Sequence, residues 1–369
     1  MKTLLVGIGA AGNKAAVQAV ANGIVSENDV IIINSTSKDF PKEFDGKTIV
    51  LSPHDTGCGK ERSVAKQYAL SAIKAGKFNI DSINDYVSVI ICTSVEGGTG
   101  SGSTPIIAKY FNEVHRKNTH VIAFTGFEED VRGLGNTLEF FQEINSNLIV
   151  QTVSNASFLR LAGQNKFKAE KMANDEMCRR IAILTGKDFI DSEQNIDDTD
   201  ILKVSNTSGY MTVEKMMLDK PLVDQDDFNR VIKNMVYNSK SVKSENPGAV
   251  RLGVILNIDP ASEDAIDFNF SYLKEAYGNP YECFLQKQWD GKKEYIAFIA
   301  SGMQMPLDAV KKLYERYQDQ SSRVNKTTDE FFTAMQEMSV NEEDHKFDMF
   351  RNANSGVSTE DFMKQFETK

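Results

Sequence analysis

Short apolar runs alternate with helix-like stretches through the first half of the chain. The strand candidates are uninterrupted and rich in β-branched residues, which is typical of strands buried on both faces of a parallel sheet. They are Thr3–Ile8, Val30–Asn34, Thr48–Leu51, Val87–Cys92, His120–Thr125 and Leu148–Val153. The helix candidates between them are Lys14–Ala21, Ser63–Ala75, a helix from near Pro105 to Arg116, and Leu134–Ile144. This alternation predicts an α/β fold with a mostly parallel sheet of the Rossmann type, covered by helices on both faces.

The second half has a different pattern, which begins with a long helical candidate and an acidic loop. Its predicted elements are helices Ala169–Leu184, Ile201–Met217 and Phe228–Tyr237, strand Val250–Asn257, helix Ala265–Tyr277, paired strands Cys283–Gln288 and Glu294–Ser301, and helix Leu307–Tyr317. We therefore predict an N-terminal domain over 1–168, a central helix and loop over 169–200, and a second, smaller α/β domain over 201–322. The remaining 323–369 would hold an amphipathic helix, Thr327–Met338, and a mobile tail with a short terminal helix, Thr359–Phe366.

Composition and charge narrow the class of protein. The chain has 369 residues, 41% hydrophobic and 25% charged, which are ordinary globular proportions for two or three domains. Its net charge of −10 disfavours direct binding of nucleic acid by the bulk surface. We expect no membrane span, because no run of 18 apolar residues occurs, and no secretory signal. The four scattered cysteines and four histidines show no metal-ligand spacing, so we expect a cytoplasmic protein without a dedicated metal site.

The first candidate motif is a glycine-rich turn that directly follows the first predicted strand. It reads Gly7-Ile8-Gly9-Ala10-Ala11-Gly12-Asn13 and opens a helix, where free backbone N–H groups attract phosphate. The same G-x-G-x-x-G pattern occurs in NAD-dependent oxidoreductases, which need an acid at the end of the second strand. Here that strand ends in Asn34-Ser35-Thr36. An oxidoreductase therefore remains as a disfavoured alternative.

A second glycine-rich loop follows the buried strand Val87–Cys92. It reads Gly97-Gly98-Thr99-Gly100-Ser101-Gly102-Ser103 and precedes the helix that contains Pro105. Four glycines in six residues leave a row of unobstructed N–H donors, and such a nest binds di- or triphosphate oxygens. No G-x-x-x-x-G-K-[ST] sequence is present, so this is not a P-loop.

With these two loops in place, the sequence resembles the tubulin/FtsZ family of GTP-dependent filament proteins over about residues 3–320. Gly97–Ser103 matches the phosphate loop of that family, and Gly57-Cys58-Gly59-Lys60 lies where its γ-phosphate loop should be. The resemblance implies GTP and GDP as ligands, with Mg²⁺ accompanying the triphosphate. The residues that it assigns to nucleotide binding are Gly9, Ala10, Ala11, Gly12, Asn13, Lys14, Asn34, Gly57, Cys58, Gly59, Lys60, Gly97, Gly98, Thr99, Gly100, Ser101, Gly102, Glu128, Arg132, Asn155 and Asn174.

Some of these assignments compete with simpler interpretations. Lys60 replaces a small residue of the family and could reach a γ-phosphate or remain solvated. Glu128 and Arg132, which the resemblance places at the ribose and at the base and phosphates, could equally form an i,i+4 surface ion pair. Asn155 and Asn174 match the two base contacts of the family, but Glu170 stands where an aromatic residue usually stacks on the base. Phe167 is the alternative stacking residue.

A catalytic loop is the last feature that the resemblance covers. Asn195-Ile196-Asp197-Asp198-Thr199-Asp200 matches the N-x-D-x-x-D loop of the family, which enters the nucleotide pocket of the next subunit. Asn195, Asp197 and Asp200 would then position the water that attacks the γ-phosphate. From the residues alone, an acidic loop with Asp200 as a helix N-cap is an adequate explanation, and both roles are compatible.

The C-terminal residues help to decide which branch of the tubulin/FtsZ family the sequence resembles most. Residues 340–369 carry seven acids and four bases, and no proline follows Pro306, so the peptide that division proteins use for membrane adaptors is absent. The chain is therefore most similar to the plasmid- and phage-encoded (TubZ-like) branch, in a bacterial host cytoplasm. The acidic tail would bind a basic DNA-binding adaptor, or be only a solubilising end. An FtsZ-like division-ring GTPase is the alternative within the family.

Overall fold

The computed structural model describes residues 2–80, 82–127, 130–144, 147–187, 203–244, 247–260, 266 and 270–324. Ten strands lie in this part of the chain. They are Thr3–Ile8 (β1), Val30–Asn34 (β2), Lys47–Val50 (β3), Ser88–Ser94 (β4), Asn118–Thr125 (β5), Ile149–Ser154 (β6), Gly209–Met217 (β7), Arg251–Asn257 (β8), Glu282–Gln288 (β9) and Tyr295–Met303 (β10). Its α-helices are Gly9–Ala21 (α1), Arg62–Lys74 (α2), Gly98–Glu113 (α3), Val131–Glu143 (α4), Ala156–Leu159 (α5), Lys166–Leu184 (α6), Gln225–Tyr237 (α7), Ser271–Ala276 (α8) and Leu307–Val324 (α9).

All ten strands join one sheet, in the order β3-β2-β1-β4-β5-β6-β7-β10-β8-β9. The strands from β3 to β7 are parallel, and their first six follow the 3-2-1-4-5-6 order of a doubly wound nucleotide-binding domain. β10 runs antiparallel to both of its neighbours, and β8 pairs with β9 in parallel. The predicted α/β class with a mostly parallel sheet is confirmed.

Buried apolar residues form one cluster on each face of this sheet. Because side chains alternate between faces along a strand, Leu4 and Val6 of β1 belong to one cluster and Leu5 to the other. Both clusters continue into β8 and β10, so the second half of the chain extends the same two layers. No helix in the described ranges is both long and apolar enough to cross a membrane.

The predicted helix Ile201–Met217 is wrong over most of its length. Residues 203–205 are helical, but Gly209–Met217 form β7, which pairs with β6 and β10. Its side chains alternate between the two faces, so that Tyr210 lies in one cluster and Met211 in the other. Burial on both faces hides the period of two, and the methionines favour a helix locally.

Two further element predictions need correction. The helix expected to begin near Pro105 begins at Gly98, so the glycine-rich loop is its first turn and Pro105 lies inside it. The strands predicted to pair with each other, β9 and β10, are separated by β8, which pairs with both. The predicted helices Thr327–Met338 and Thr359–Phe366 lie outside the described residues.

A fully buried arginine connects the central helix to the sheet. Arg180 of α6 is 1% exposed and donates from Nε to Oε1 of Glu176 (3.0 Å) and from Nη1 to the carbonyl of Thr152 in β6 (2.7 Å). Its Nη2 donates to Oε1 of Glu214 in β7 (3.3 Å). Burial raises the pKa of Glu214 to about 6, against the opposing effect of the Arg180 charge. This one side chain therefore connects α6 with β6, which lies in the predicted N-terminal domain, and with β7, which lies in the predicted second domain.

Candidate nucleotide-binding site

A cavity of about 340 Å³ lies at the carboxyl ends of β1, β2 and β4, beside the point where the strand order reverses between β1 and β4. Ligands bind at this position in doubly wound sheets. The residues that line it are Ile8, Gly9, Ala10, Ala11, Asn34, Ser35, Asp39, Gly57, Cys58, Gly59, Lys60, Ser94, Gly97, Gly98, Thr99 and Gly100. The structure therefore brings together members of four loops that were predicted from separate parts of the sequence.

The glycine-rich loop forms the floor of the cavity as the first turn of α3. Gly97 is its N-cap, and neither α3 nor α1 has an acidic residue in its first turn. The orphan N–H groups and the positive ends of both helix dipoles therefore favour an anion. A Cβ on Gly100 would lie 2.3 Å from the carbonyl oxygen of Ser94, so only glycine lets this turn approach the end of β4 so closely.

One hydroxyl group connects three of the loops. The Oγ1 atom of Thr99 lies 2.9 Å from Oγ of Ser35, which follows β2, and 3.0 Å from Sγ of Cys58. All three side chains stand at the wall of the cavity. These contacts connect the phosphate loop, the loop after β2 and the 57–61 loop to one another.

Some predicted residues support the cavity instead of lining it. A Cβ on Gly12 would lie 2.1 Å from the carbonyl oxygen of Cys92, so this glycine lets α1 pack on β4. The side chain of Asn13 is buried and accepts from the backbone N–H of Ile33 (3.3 Å). Gly102 packs against α2, Ser101 Oγ donates to the carbonyl of Gly97, and Lys14 is exposed.

Arg62, which was not among the predicted residues, is buried under the phosphate loop. Pro105 has no N–H, so the carbonyl of Ser101 lacks its helical partner, and Nη2 of Arg62 donates to it instead (3.1 Å). The same guanidinium pairs with Glu139 and Glu143 of α4. The sequence signal for such a partner was Pro105, because a proline inside a helix leaves the carbonyl four residues earlier without its helical donor. Asp39, an acid on the cavity wall, was also missed.

Unpartnered amide groups indicate that the site fits a nucleotide. Within the described residues, Nδ2 of Asn34 and Oδ1 of Asn155 are buried and have no hydrogen-bond partner. A buried polar group without a partner is costly, and a bound ligand can remove that cost. Asn34 stands at the cavity wall, while Asn155 follows β6, whose carboxyl end lies at the same edge of the sheet.

Two ion pairs connect the 57–61 loop to the start of α4. Nζ of Lys60 lies 2.7 Å from Oδ2 of Asp130, and Arg132 pairs with Glu61. The hydrogen bond and the charge of Lys60 lower the pKa of the Asp130 carboxyl below its usual value. Arg132 thus contacts the loop beside the cavity but does not line it.

The remaining predicted residues stay predictions. Asn174 is half-buried on α6 and is not among the residues that line the cavity, and the side chain of Phe167 is 85% exposed. Glu128 and the proposed catalytic residues Asn195, Asp197 and Asp200 lie outside the described residues.

Taken together, the strand order, the two glycine turns at helix N-termini and the anion-favouring cavity define a nucleotide-binding α/β domain. Residues 2–163 match the family model of the tubulin/FtsZ family, GTPase domain. Over this part of the chain, the resemblance to that family of GTPases seen in the sequence is confirmed. The match also favours a GTPase over the NAD-dependent oxidoreductase.

Known proteins resemble the chain beyond that domain. It is 22% identical over 331 residues to the tubulin-like protein TubZ of Clostridium botulinum C phage, covering 88% of this chain and 86% of the relative. It is 23% identical over 244 residues to cell division protein FtsZ 1 of Methanocaldococcus jannaschii, covering 61% and 66%. The GTPγS-bound protofilament structure of CetZ2 from Haloferax volcanii has a TM-score of 0.70 at 16% identity, over 88% of this chain and 99% of that one.

Proposed function

We propose that this protein assembles head to tail into GTP-dependent filaments and hydrolyses GTP, with Mg²⁺, to GDP and phosphate at the interface between subunits. The observation that carries the proposal is the convergence of four loops on one anion-favouring cavity in a tubulin/FtsZ GTPase domain. The fold shared with a protofilament of CetZ2 supports assembly. A head-to-tail contact between unlike surfaces leads to an open filament.

In this proposal each subunit binds GTP but is completed by its neighbour. The predicted loops of the cavity hold the phosphates, and Asn155 and Asn174 read the base through amide groups that both donate and accept hydrogen bonds. Asn195, Asp197 and Asp200 of the adjoining subunit position the attacking water. Hydrolysis therefore depends on assembly, and it destabilises the filament once GDP remains.

Assembly is tested directly by light scattering and electron microscopy of the purified protein with GTP, GDP and a slowly hydrolysed GTP analogue. We expect filaments with GTP and with the analogue, longer-lived with the analogue, and no lasting filaments with GDP. Nucleotide extracted from the purified protein should be a guanine nucleotide. Absence of filaments in every nucleotide state, or extraction of NAD, contradicts the proposal.

The cellular role that we propose is positioning or segregation of plasmid or phage DNA. The similarity to TubZ extends over 88% of the chain, whereas that to FtsZ 1 extends over 61%, which supports this branch over a division ring. Residues 340–369 carry a net charge of −3. We propose that this tail binds a basic adaptor protein, which in turn holds the DNA.

Deletion of residues 340–369 separates the role of the tail from that of the filament. Full-length filaments incubated in lysate of the source cells should retain DNA together with a basic protein, whereas truncated filaments should retain neither. The control is purified full-length protein with naked DNA, which should not bind because both are acidic. Equal DNA recovery by truncated filaments would disprove the role of the tail.

A further inference from the structure

The loop 57–61 places a lysine at the phosphate end of the cavity in an uncommon backbone conformation. Gly59 and Lys60 are consecutive residues with positive φ, +57° and +65°. A lysine rarely adopts this region, and such strain concentrates at functional positions. In this conformation the 57–61 loop packs closely on the phosphate loop, because a Cβ on Gly98 would lie only 2.7 Å from Cα of Lys60. Lys60 is also part of the cavity wall.

The ammonium group of Lys60 is held by a carboxylate that can release it. Its ion pair with Asp130 is solvent-accessible, with 57% and 43% of the two side chains exposed, and exposed pairs of this kind are weak. Asp130 has a second role that does not need Lys60, because its Oδ1 accepts from the backbone N–H of Arg132 (3.0 Å) as the N-cap of α4. Departure of the lysine therefore leaves the helix capped.

The residues around Lys60 would stay in place during such a change. Arg62, two positions later, is buried and fixed by Glu139, Glu143 and the carbonyl of Ser101. Glu61 stays paired with Arg132. Only the tip of the loop and the long lysine side chain need to move.

We propose that Lys60 distinguishes GTP from GDP by leaving Asp130 for the γ-phosphate. This inference rests on the proposed binding of GTP in this cavity. A terminal phosphate offers more negative charge and three acceptor oxygens, so its charge-assisted hydrogen bond to the ammonium outcompetes the exposed carboxylate. GDP lacks this group, and with GDP the pair between Lys60 and Asp130 persists. The γ-phosphate thus changes the connection between the 57–61 loop and α4.

Replacement of Lys60 by methionine tests this role with little change in side-chain length or backbone strain. K60M should weaken binding of a slowly hydrolysed GTP analogue about tenfold, while GDP affinity stays within about twofold. The matched control is K47M, which removes an exposed lysine from the edge strand β3 and should change neither affinity. Both affinities are measured by isothermal titration calorimetry on the full chain, after thermal melts show that each variant is folded.

Replacement of Asp130 by asparagine tests the competition from the other side. Asparagine still caps a helix, but it removes the charge that holds Lys60. D130N should therefore strengthen binding of the GTP analogue about threefold and leave GDP affinity unchanged. In the double variant K60M/D130N that gain should disappear, because no ammonium remains for the carboxylate to withhold.

The outcomes separate this inference from the proposed function. If K60M weakens both nucleotides equally or neither, or if D130N still strengthens the analogue when Lys60 is absent, the assignment of Lys60 is overturned while guanine nucleotide binding stands. If the unmodified protein binds neither GTP analogue nor GDP, the proposed function fails, and the assignment of Lys60 fails with it.

Discussion

Replacing Asp200 with alanine is expected to lower GTP turnover by about 10²–10⁴-fold while GTP binding is retained. The predicted role of this carboxylate is to orient and polarise the attacking water in the pocket of the adjoining subunit. Its loss therefore removes stabilisation of the transition state without touching the loops that hold the phosphates in its own subunit. Phosphate release and nucleotide affinity, measured separately, distinguish these effects. Filaments of the variant should also outlast those of the unmodified protein in GTP.

The same loop contains its own control. Asp198 is an acid that does not occupy an acidic position of the N-x-D-x-x-D pattern, so D198A should retain turnover within a few-fold. Asp197→Ala should behave like Asp200→Ala. Normal turnover by Asp200→Ala, or equal losses from all three substitutions, would contradict the catalytic assignment. Equal losses would instead indicate that the loop needs its negative charge as a whole.

The parts of the site that could be predicted from the sequence are those marked by a pattern of a few adjacent residues. A glycine turn after a buried strand can be recognised from a few neighbouring residues, and the structure places the residues from Gly9 to Ala11 and from Gly97 to Gly100 around one cavity. The mostly parallel sheet follows from the same alternation of strands and helices, because a parallel pair needs a crossover connection and this is usually a helix.

The features that were missed depend on partners distant in the chain. Arg62 matters because Pro105, which lies 43 positions later, frees a carbonyl that the guanidinium can reach. β7 is a strand because β6 and β10 flank it, and no signal within its own residues outweighs their helical composition. In the same way, the insertion of β8 between β9 and β10 is a matter of pairing, which a single sequence does not reveal.

Arg180 gives the largest expected effect on stability. Replacing it with leucine should lower the free energy of unfolding by about 3–5 kcal/mol, because it leaves the buried carboxylate of Glu214 without its cation and removes one of the two arginines that pair with Glu176. Part of the loss comes from the carbonyl of Thr152, which would lose its 2.7 Å donor. Chemical denaturation of the full chain measures the change.

Arg179 is the matched control for this substitution. It pairs with the same carboxylate, Glu176, at 2.6 Å, but 48% of its side chain is exposed. R179L should therefore change the free energy of unfolding by no more than about 0.5 kcal/mol. Similar losses in both variants would show that the pair with Glu176, and not the buried junction, stabilises the fold.

The pH dependence of the loss provides a second check on the junction. Burial already raises the pKa of Glu214 to about 6, and without the Arg180 charge the folded-state pKa of this acid should rise further above its unfolded value. A group shifted in this direction contributes stability that is present below its unfolded pKa and is lost as pH rises through its folded pKa. The gap in stability between Arg180→Leu and the unmodified protein should therefore be wider at pH 8 than at pH 5. A gap that stays constant over this range would mean that Glu214 does not depend on Arg180 for its charge.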